Sequence, residues 1–87
     1  MPERDLQAMR AEIDDLDHAL LRLVARRREV VAELFDWKRA RDIEPIDAAR
    51  ERALLDERRA AAEALDLPPG LAERLMRALL ADSHARR

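Results

Sequence analysis

Residues 6–37 read LQAMRAEIDDLDHALLRLVARRREVVAELFDW. Apolar side chains in this stretch recur at alternating intervals of three and four residues, which is the spacing of a helix that packs lengthwise against another helix. These seam positions are Leu6, Met9, Ile13, Leu16, Leu20, Leu23, Val30, Leu34 and Trp37. No proline or glycine interrupts the stretch. It therefore predicts one long first helix over about residues 4–41, which packs against a partner.

The composition of the whole chain also indicates helices. Of its 87 residues, 48% are apolar but only 2% are aromatic, and Gly70 is the one glycine. Sheets favour β-branched and aromatic residues and need glycine in tight hairpins. This chain is instead rich in alanine, leucine, arginine and glutamate, which are strong helix formers. An all-β or α/β fold is therefore excluded, and we expect a single domain over residues 1–87.

Two breaks that contain proline divide the rest of the chain. The first break, at residues 42–46, ends the long helix because proline disfavours a helical conformation in the residue before it. Asp47 is then a good N-cap for a second helix that ends at about Leu65. The second break, at residues 66–70, precedes a third helix from about residue 69 or 70 to about residue 84. The apolar set of the second helix is Ala48, Leu54, Leu55, Ala61, Ala62 and Leu65, and the third helix carries Leu71, Leu75, Met76, Leu79 and Leu80 on one side. The predicted fold class is all-α, with one long helix followed by two shorter ones.

Length and charge narrow the classes of function. Three helices of this size bury only a thin core, so we expect an oligomer. There is no cysteine, the N-terminus lacks the apolar stretch of a signal peptide, and no apolar run is long enough for a membrane span. The net charge is −2 and the basic clusters are short and flanked by acids, unlike the basic stripe of a nucleic-acid binder. We therefore expect a cytoplasmic protein with neither a membrane nor a nucleic-acid partner.

Three basic residues of the first helix are candidates for anion binding. Arg27 falls on a seam position, where it either forms an ion pair that sets the register of the helices or opens a polar pocket for an anion. Lys38 is the one lysine in the chain, and an ammonium is a compact charge suited to a single negative oxygen. The two residues share a helix face about 16 Å apart and could clamp a small dianion. Arg10 lies about 25 Å from Arg27 along the helix, so it could reach such a ligand only from a second chain.

The other polar candidates have simple structural explanations. Asp47 begins the second helix, and Arg50 and Glu51 follow it in the first turn, as an N-cap followed by surface charges would. Ser83 continues the apolar face of the third helix and is interpreted as a small residue near its end. His18 and His84 are interpreted as surface histidines. Without a metal cluster, a glycine-rich phosphate loop or a nucleophile triad, we expect neither metal nor cofactor, and an enzyme of this composition works by positioning and electrostatics.

Several of these residues match one known pattern. Residues 6–21, LQAMRAEIDDLDHALL, resemble L-x-x-L-R-x-E-I-D-x-I-D-x-x-L-L, the opening of the AroQ-type, all-helical chorismate mutases. The resemblance continues through LVARRREV at residues 23–30, Lys38, DAARE at residues 47–51 and Ser83, so that it covers about residues 6–83. It implies an intertwined homodimer of three-helix protomers with two shared active sites and a small dianionic substrate.

The resemblance also implies a role for each candidate. Arg10 would enter the site from the partner, and Arg27, Arg50 and Ser83 would lie near the substrate carboxylates. Lys38 would lie at the ether oxygen, and Asp47 and Glu51 near the substituent on ring carbon C4. The reaction, a [3,3] rearrangement of chorismate to prephenate in aromatic amino acid or related biosynthesis, moves no proton and needs no nucleophile. Holding the reactive conformer and stabilising the charge that grows on the ether oxygen suffice for it.

The sequence departs from the family pattern at two positions. Pro45 lies two residues before Asp47, whereas the family usually has three, so the loop differs locally. The family commonly has glutamine or glutamate four residues after the serine, as a second contact to the ether oxygen, and here Arg87 stands in that position. We expect the end of the chain to be frayed and Arg87 to contribute little. A partner enzyme that activates the protein, as some small family members need, is compatible with this departure.

Three alternative functions remain open from the sequence. The same rearrangement could act on 4-amino-4-deoxychorismate, where Asp47 and Glu51 would meet an amine at C4. Elimination of pyruvate from isochorismate uses a similar scaffold. A non-catalytic helical dimerisation module would explain the seam and the charge, but neither Arg27 within the seam nor a lone lysine in register with it.

Overall fold

The computed structural model describes residues 4–86, all of whose regular structure is helical. Helix α1 spans Leu6–Arg39, α2 spans Ala48–Ala64 and α3 spans Pro69–Ala85. The predicted fold class and the order of one long and two shorter helices are confirmed, with helix ends within about two residues of the expected ones. Arg87, to which the sequence assigned a candidate role, lies outside the described residues. Within residues 4–86, no helix combines the length and the apolar character that crossing a membrane would require.

The chain divides into two compact units between Val31 and Ala32. The first unit contains most of α1. Its helix begins with a side-chain cap, because the Asp5 carboxylate accepts a 2.7 Å hydrogen bond from the backbone N–H of Ala8. Ion pairs one turn apart, such as Arg26 with Glu29 at 3.0 Å, lie on the polar side of the helix.

The apolar seam of α1 is exposed along its whole length. Each of its nine apolar residues keeps between 43% and 68% of its surface in contact with solvent, from Met9 at the low end to Leu23 at the high end. Among the residues of α1 that the structure describes, only Phe35 is buried. Exposure of a row of large apolar side chains to water is unfavourable, and a partner surface packed on them would remove this exposure.

The second unit contains the end of α1 together with α2 and α3, which pack against each other. Its buried residues are Phe35, Ala62, Ala72 and Ser83. On α2 and α3, five larger apolar side chains are half-buried, namely Leu54, Leu55, Met76, Leu79 and Leu80. The buried apolar residues of α2 and α3 are the alanines Ala62 and Ala72, and side chains of this size allow two helices to pack closely.

Five residues of the apolar sets of α2 and α3 are exposed, namely Ala48, Ala61, Leu65, Leu71 and Leu75. Leu65 is 72% exposed because it is the C-cap of α2, past the last residue that packs on α3. Leu71 and Leu75 are 47% and 44% exposed, since α2 covers only part of the apolar face of α3.

The loop between α1 and α2 turns back sharply on the end of α1. The backbone carbonyl of Lys38 accepts hydrogen bonds from the backbone N–H groups of Arg41 and Ile43, both at 3.0 Å. Asp42 adopts the left-handed conformation that this turn requires, with φ 53°, which aspartate tolerates better than most residues. The turn returns the chain toward Lys38, so that Pro45 lies beside the Lys38 side chain.

Candidate active site

Lys38 is half-buried in the last turn of α1 and bonded to the following loop. Its Nζ donates a 3.0 Å hydrogen bond to the backbone carbonyl oxygen of Pro45. An ammonium has three N–H donors, so this bond orients the group and leaves two donors for a ligand. Proline restricts the backbone of the loop that carries the accepting carbonyl.

A cavity of about 120 Å³ lies beside this hydrogen bond. Its lining consists of Phe35, Lys38, Arg39, Ile43 and Pro45. Three of these five residues are apolar and two are cationic, and all belong to the second unit. Such a lining suits a small, partly apolar anion. Its apolar part would be removed from water, and its negative charge would lie near a fixed positive charge.

Asp47 confirms its predicted role as the N-cap of α2. Its backbone is extended, with φ −113° and ψ 101°, and Oδ1 accepts a 3.0 Å hydrogen bond from the backbone N–H of Arg50. The cap satisfies one of the free N–H groups at the start of the helix and fixes where the first turn points. The Arg50 side chain is exposed, so its guanidinium is accessible to a ligand at this end of the helix.

Glu51 and His84 form a side-chain hydrogen bond between α2 and α3. Nε2 of His84 lies 2.6 Å from Oε2 of Glu51, and the two side chains are 37% and 26% exposed. The interpretation of His84 as a plain surface histidine was therefore wrong, whereas His18 is exposed as expected. The two residues are 33 positions apart in the chain, and only the packing of α3 on α2 brings them together.

Ser83 is one of the few buried residues, at 6% exposure. Its hydroxyl donates a 2.9 Å hydrogen bond to the carbonyl oxygen of Leu79, one turn earlier on α3. The prediction that Ser83 continues the apolar face of the third helix is confirmed. Two adjacent polar side chains, Ser83 and His84, therefore lie near the end of α3. The side chain of His84 is hydrogen-bonded to Glu51.

The remaining candidates lie in the first unit. Arg10 is exposed, and Arg27 is half-buried on the seam of α1. The 17 residues between them correspond to about 25 Å along one helix, which exceeds the reach of two side chains toward one small ligand. No group of histidine, cysteine, aspartate or glutamate with metal-binding geometry occurs among residues 4–86.

Comparisons with known proteins show which family and relatives the chain resembles. The family model described as chorismate mutase type II matches residues 9–87. A protein named T-protein from Enterobacter agglomerans is 40% identical over 80 residues, and a T-protein from Haemophilus influenzae is 34% identical over 80 residues. Each alignment covers 92% of this chain but 21% of the relative, so the chain spans about a fifth of the length of these curated relatives. No solved structure gives a significant match.

Proposed function

The chain belongs to the type II chorismate mutase family, a family of isomerases, and on that premise we propose that it converts chorismate to prephenate. The observation that carries the proposal is that the matched segment, residues 9–87, contains every candidate residue of the site. Two contacts of the second unit support it: the Lys38 ammonium is oriented by the Pro45 carbonyl, and Glu51 is bonded to His84 between α2 and α3.

The reaction is a rearrangement within one molecule. The ether C–O bond breaks and a new C–C bond forms as electron pairs move around a six-membered transition state, so no proton, hydride or external group is transferred. Negative charge grows on the ether oxygen as its bond to carbon lengthens. A group that stabilises this oxygen more in the transition state than in the ground state accelerates the reaction.

Lys38 supplies that group. Its ammonium is held by the Pro45 carbonyl before substrate arrives, and its remaining N–H donors are available to the ether oxygen. Because the hydrogen bond to the loop already orients the charge, little reorganisation is needed when the oxygen becomes negative. This prior orientation, rather than a proton transfer, is the chemical contribution of Lys38.

The arginines hold the substrate in its reactive conformer. Arg27 and Arg50 bind the two carboxylates, and Arg10 enters from a second copy of the chain. Ser83 joins them by turning its hydroxyl from the Leu79 carbonyl to a carboxylate of the substrate. Chorismate is flexible, and its two ends must approach each other before the C–C bond can form. Fixing both carboxylates removes this conformational freedom in advance, which lowers the entropic part of the barrier. Asp47 and Glu51 lie at the C4 hydroxyl.

A second copy of the chain covers the exposed seam of α1 in this proposal. Nine large apolar side chains at heptad spacing, 43% to 68% exposed, match the contact surface of a long helix with another long helix. The same pairing brings Arg10 of one copy toward Arg27 of the other, which a single helix cannot do. The proposed assembly is therefore a homodimer with two shared sites.

The experiment is a direct assay of the 87-residue chain with chorismate, with prephenate identified as the product. Thermal unfolding with and without a transition-state analogue accompanies it, since a ligand that binds only the folded protein raises the melting temperature. Turnover together with such a shift supports the proposal. A folded, dimeric protein with neither turnover nor a shift contradicts it and identifies a non-catalytic dimerisation module.

A further inference from the structure

We propose that His84 determines which substituent the site accepts at ring carbon C4, by holding Glu51 so that a hydroxyl is favoured over an ammonium. The inference rests on the proposed function, in which Glu51 lies at C4. It adds a residue that the family resemblance did not assign, and it separates chorismate from 4-amino-4-deoxychorismate as substrates.

The contact itself fixes one oxygen of Glu51. A carboxylate without a proton only accepts hydrogen bonds, so at 2.6 Å Nε2 of His84 is the donor to Oε2. The other oxygen of the Glu51 carboxylate, Oε1, keeps its lone pairs for a second donor. A C4 hydroxyl brings one O–H and needs one acceptor, which Oε1 supplies without breaking the contact to His84.

An ammonium at C4 makes a different demand. A primary amine is protonated near neutral pH, so it carries a positive charge and three N–H donors. It gains most from a carboxylate whose full negative charge is unshared. The N–H group of His84 directs its partial positive charge at the same carboxylate. His84 therefore weakens the attraction of Glu51 for a cation more than for a neutral hydroxyl.

The position of the pair strengthens this effect. Glu51 and His84 are both half-buried, at 26% and 37% side-chain exposure, so water screens their interaction less than it screens the exposed ion pairs of α1. The contact links the first turn of α2 with the end of α3, next to the buried Ser83. Glu51 consequently keeps one orientation before substrate binds.

The test compares kcat/KM for chorismate and for 4-amino-4-deoxychorismate in four proteins: wild type, His84→Ala, His84→Gln and His18→Ala. We expect wild type to have the higher kcat/KM for chorismate. In His84→Ala the ratio of kcat/KM for chorismate to kcat/KM for 4-amino-4-deoxychorismate should fall about tenfold, the scale of one hydrogen bond to a charged group. His84→Gln retains an N–H donor and should recover much of the preference. His18→Ala, an exposed histidine outside the site, should match wild type.

The outcomes separate this inference from the proposed function. If wild type converts neither substrate, the proposed function is wrong and the inference falls with it. If wild type converts chorismate and the ratio is unchanged in folded His84→Ala, His84 only ties α2 to α3 and the inference is overturned. Should His84→Ala fail to fold, His84→Asn decides, because its shorter amide cannot reach Glu51 but preserves a polar side chain. An unchanged ratio in that variant also overturns the inference.

Discussion

The ammonium of Lys38 donates a 3.0 Å hydrogen bond to the backbone carbonyl of Pro45, seven residues later in the chain. The bond closes the turn between α1 and α2 and holds the one lysine of the protein beside a small cavity. A side chain with four rotatable bonds is thereby restricted before any ligand binds. Restricting the charge in advance is what an electrostatic catalyst requires, since the energy of reorienting it is then not spent during the reaction.

Lys38→Ala should lower kcat about 10²-fold or more, the scale for losing one preorganised donor to a developing oxyanion. Lys38→Arg should not restore the rate, because a planar guanidinium places its charge farther out and cannot reproduce the bond to Pro45 in the same space. Steady-state kinetics at saturating chorismate measure both variants. Arg26→Ala, an exposed arginine paired with Glu29, is the control. Wild-type turnover in Lys38→Arg would contradict the argument from a compact charge.

Arg10→Ala and Arg27→Ala should each be nearly inactive, and a mixed dimer of the two should regain activity. The reason is their separation of about 25 Å on α1, which places the two residues of one site on different chains. In the mixed dimer, one site has both arginines and the other has neither. Activity after the two variants are unfolded and refolded together measures this. If heterodimers demonstrably form and no activity returns, Arg10 does not act across the interface.

Leu16→Glu should dissociate the dimer or unfold the chain, whereas Leu21→Glu should leave the dimer intact. Both leucines are exposed within one chain, at 61% and 65%, but only Leu16 lies on the heptad seam of α1. A carboxylate buried at that seam would cost at least about 2 kcal/mol for each copy. Sedimentation measures the oligomeric state. Equal behaviour of the two variants would mean that the seam is not the contact surface.

Glu73→Gln should destabilise the protein at neutral pH and lose that effect in acid. A hydrogen bond and the charge of Arg77, with a further contribution from Arg59, lower the pKa of Glu73 below its usual value of 4.5. The carboxylate is therefore favoured in the folded state, so its stabilising contribution is present above pH 4.5 and is lost as the pH falls through the lowered pKa.

Thermal unfolding of Glu73→Gln and wild type between neutral and acidic pH measures this difference. The contact is exposed, so we also expect the difference in melting temperature to shrink in high salt. Glu63→Gln, an exposed change of the same kind on α2, controls for the loss of one negative charge. A destabilisation by Glu73→Gln that persists undiminished at low pH would exclude the ion pairs with Arg59 and Arg77 as its cause.

The local features of this fold follow from short-range properties that the sequence carries by itself. Heptad spacing without a proline or glycine determines α1, since each residue needs only its neighbours three and four positions away. The N-cap at Asp47 and the prolines before α2 and α3 set the helix boundaries, because capping and the restrictions of proline act within one turn. Lys38 and Arg27 could also be selected from the sequence. Lys38 is the one lysine of the chain, and Arg27 is a charged residue at a seam position that is otherwise apolar.

Tertiary structure alone decided which of these residues meet. Glu51 and His84 lie 33 residues apart, and no spacing rule within one helix relates them; their contact exists because α3 packs on α2 through alanines. The exposure of Leu65 and the hydrogen bond of Lys38 to the Pro45 carbonyl likewise depend on how far a helix is covered and how a loop turns back. Such contacts arise from the packing of whole helices and loops. The sequence around His84 therefore does not indicate that the carboxylate of Glu51 lies beside it.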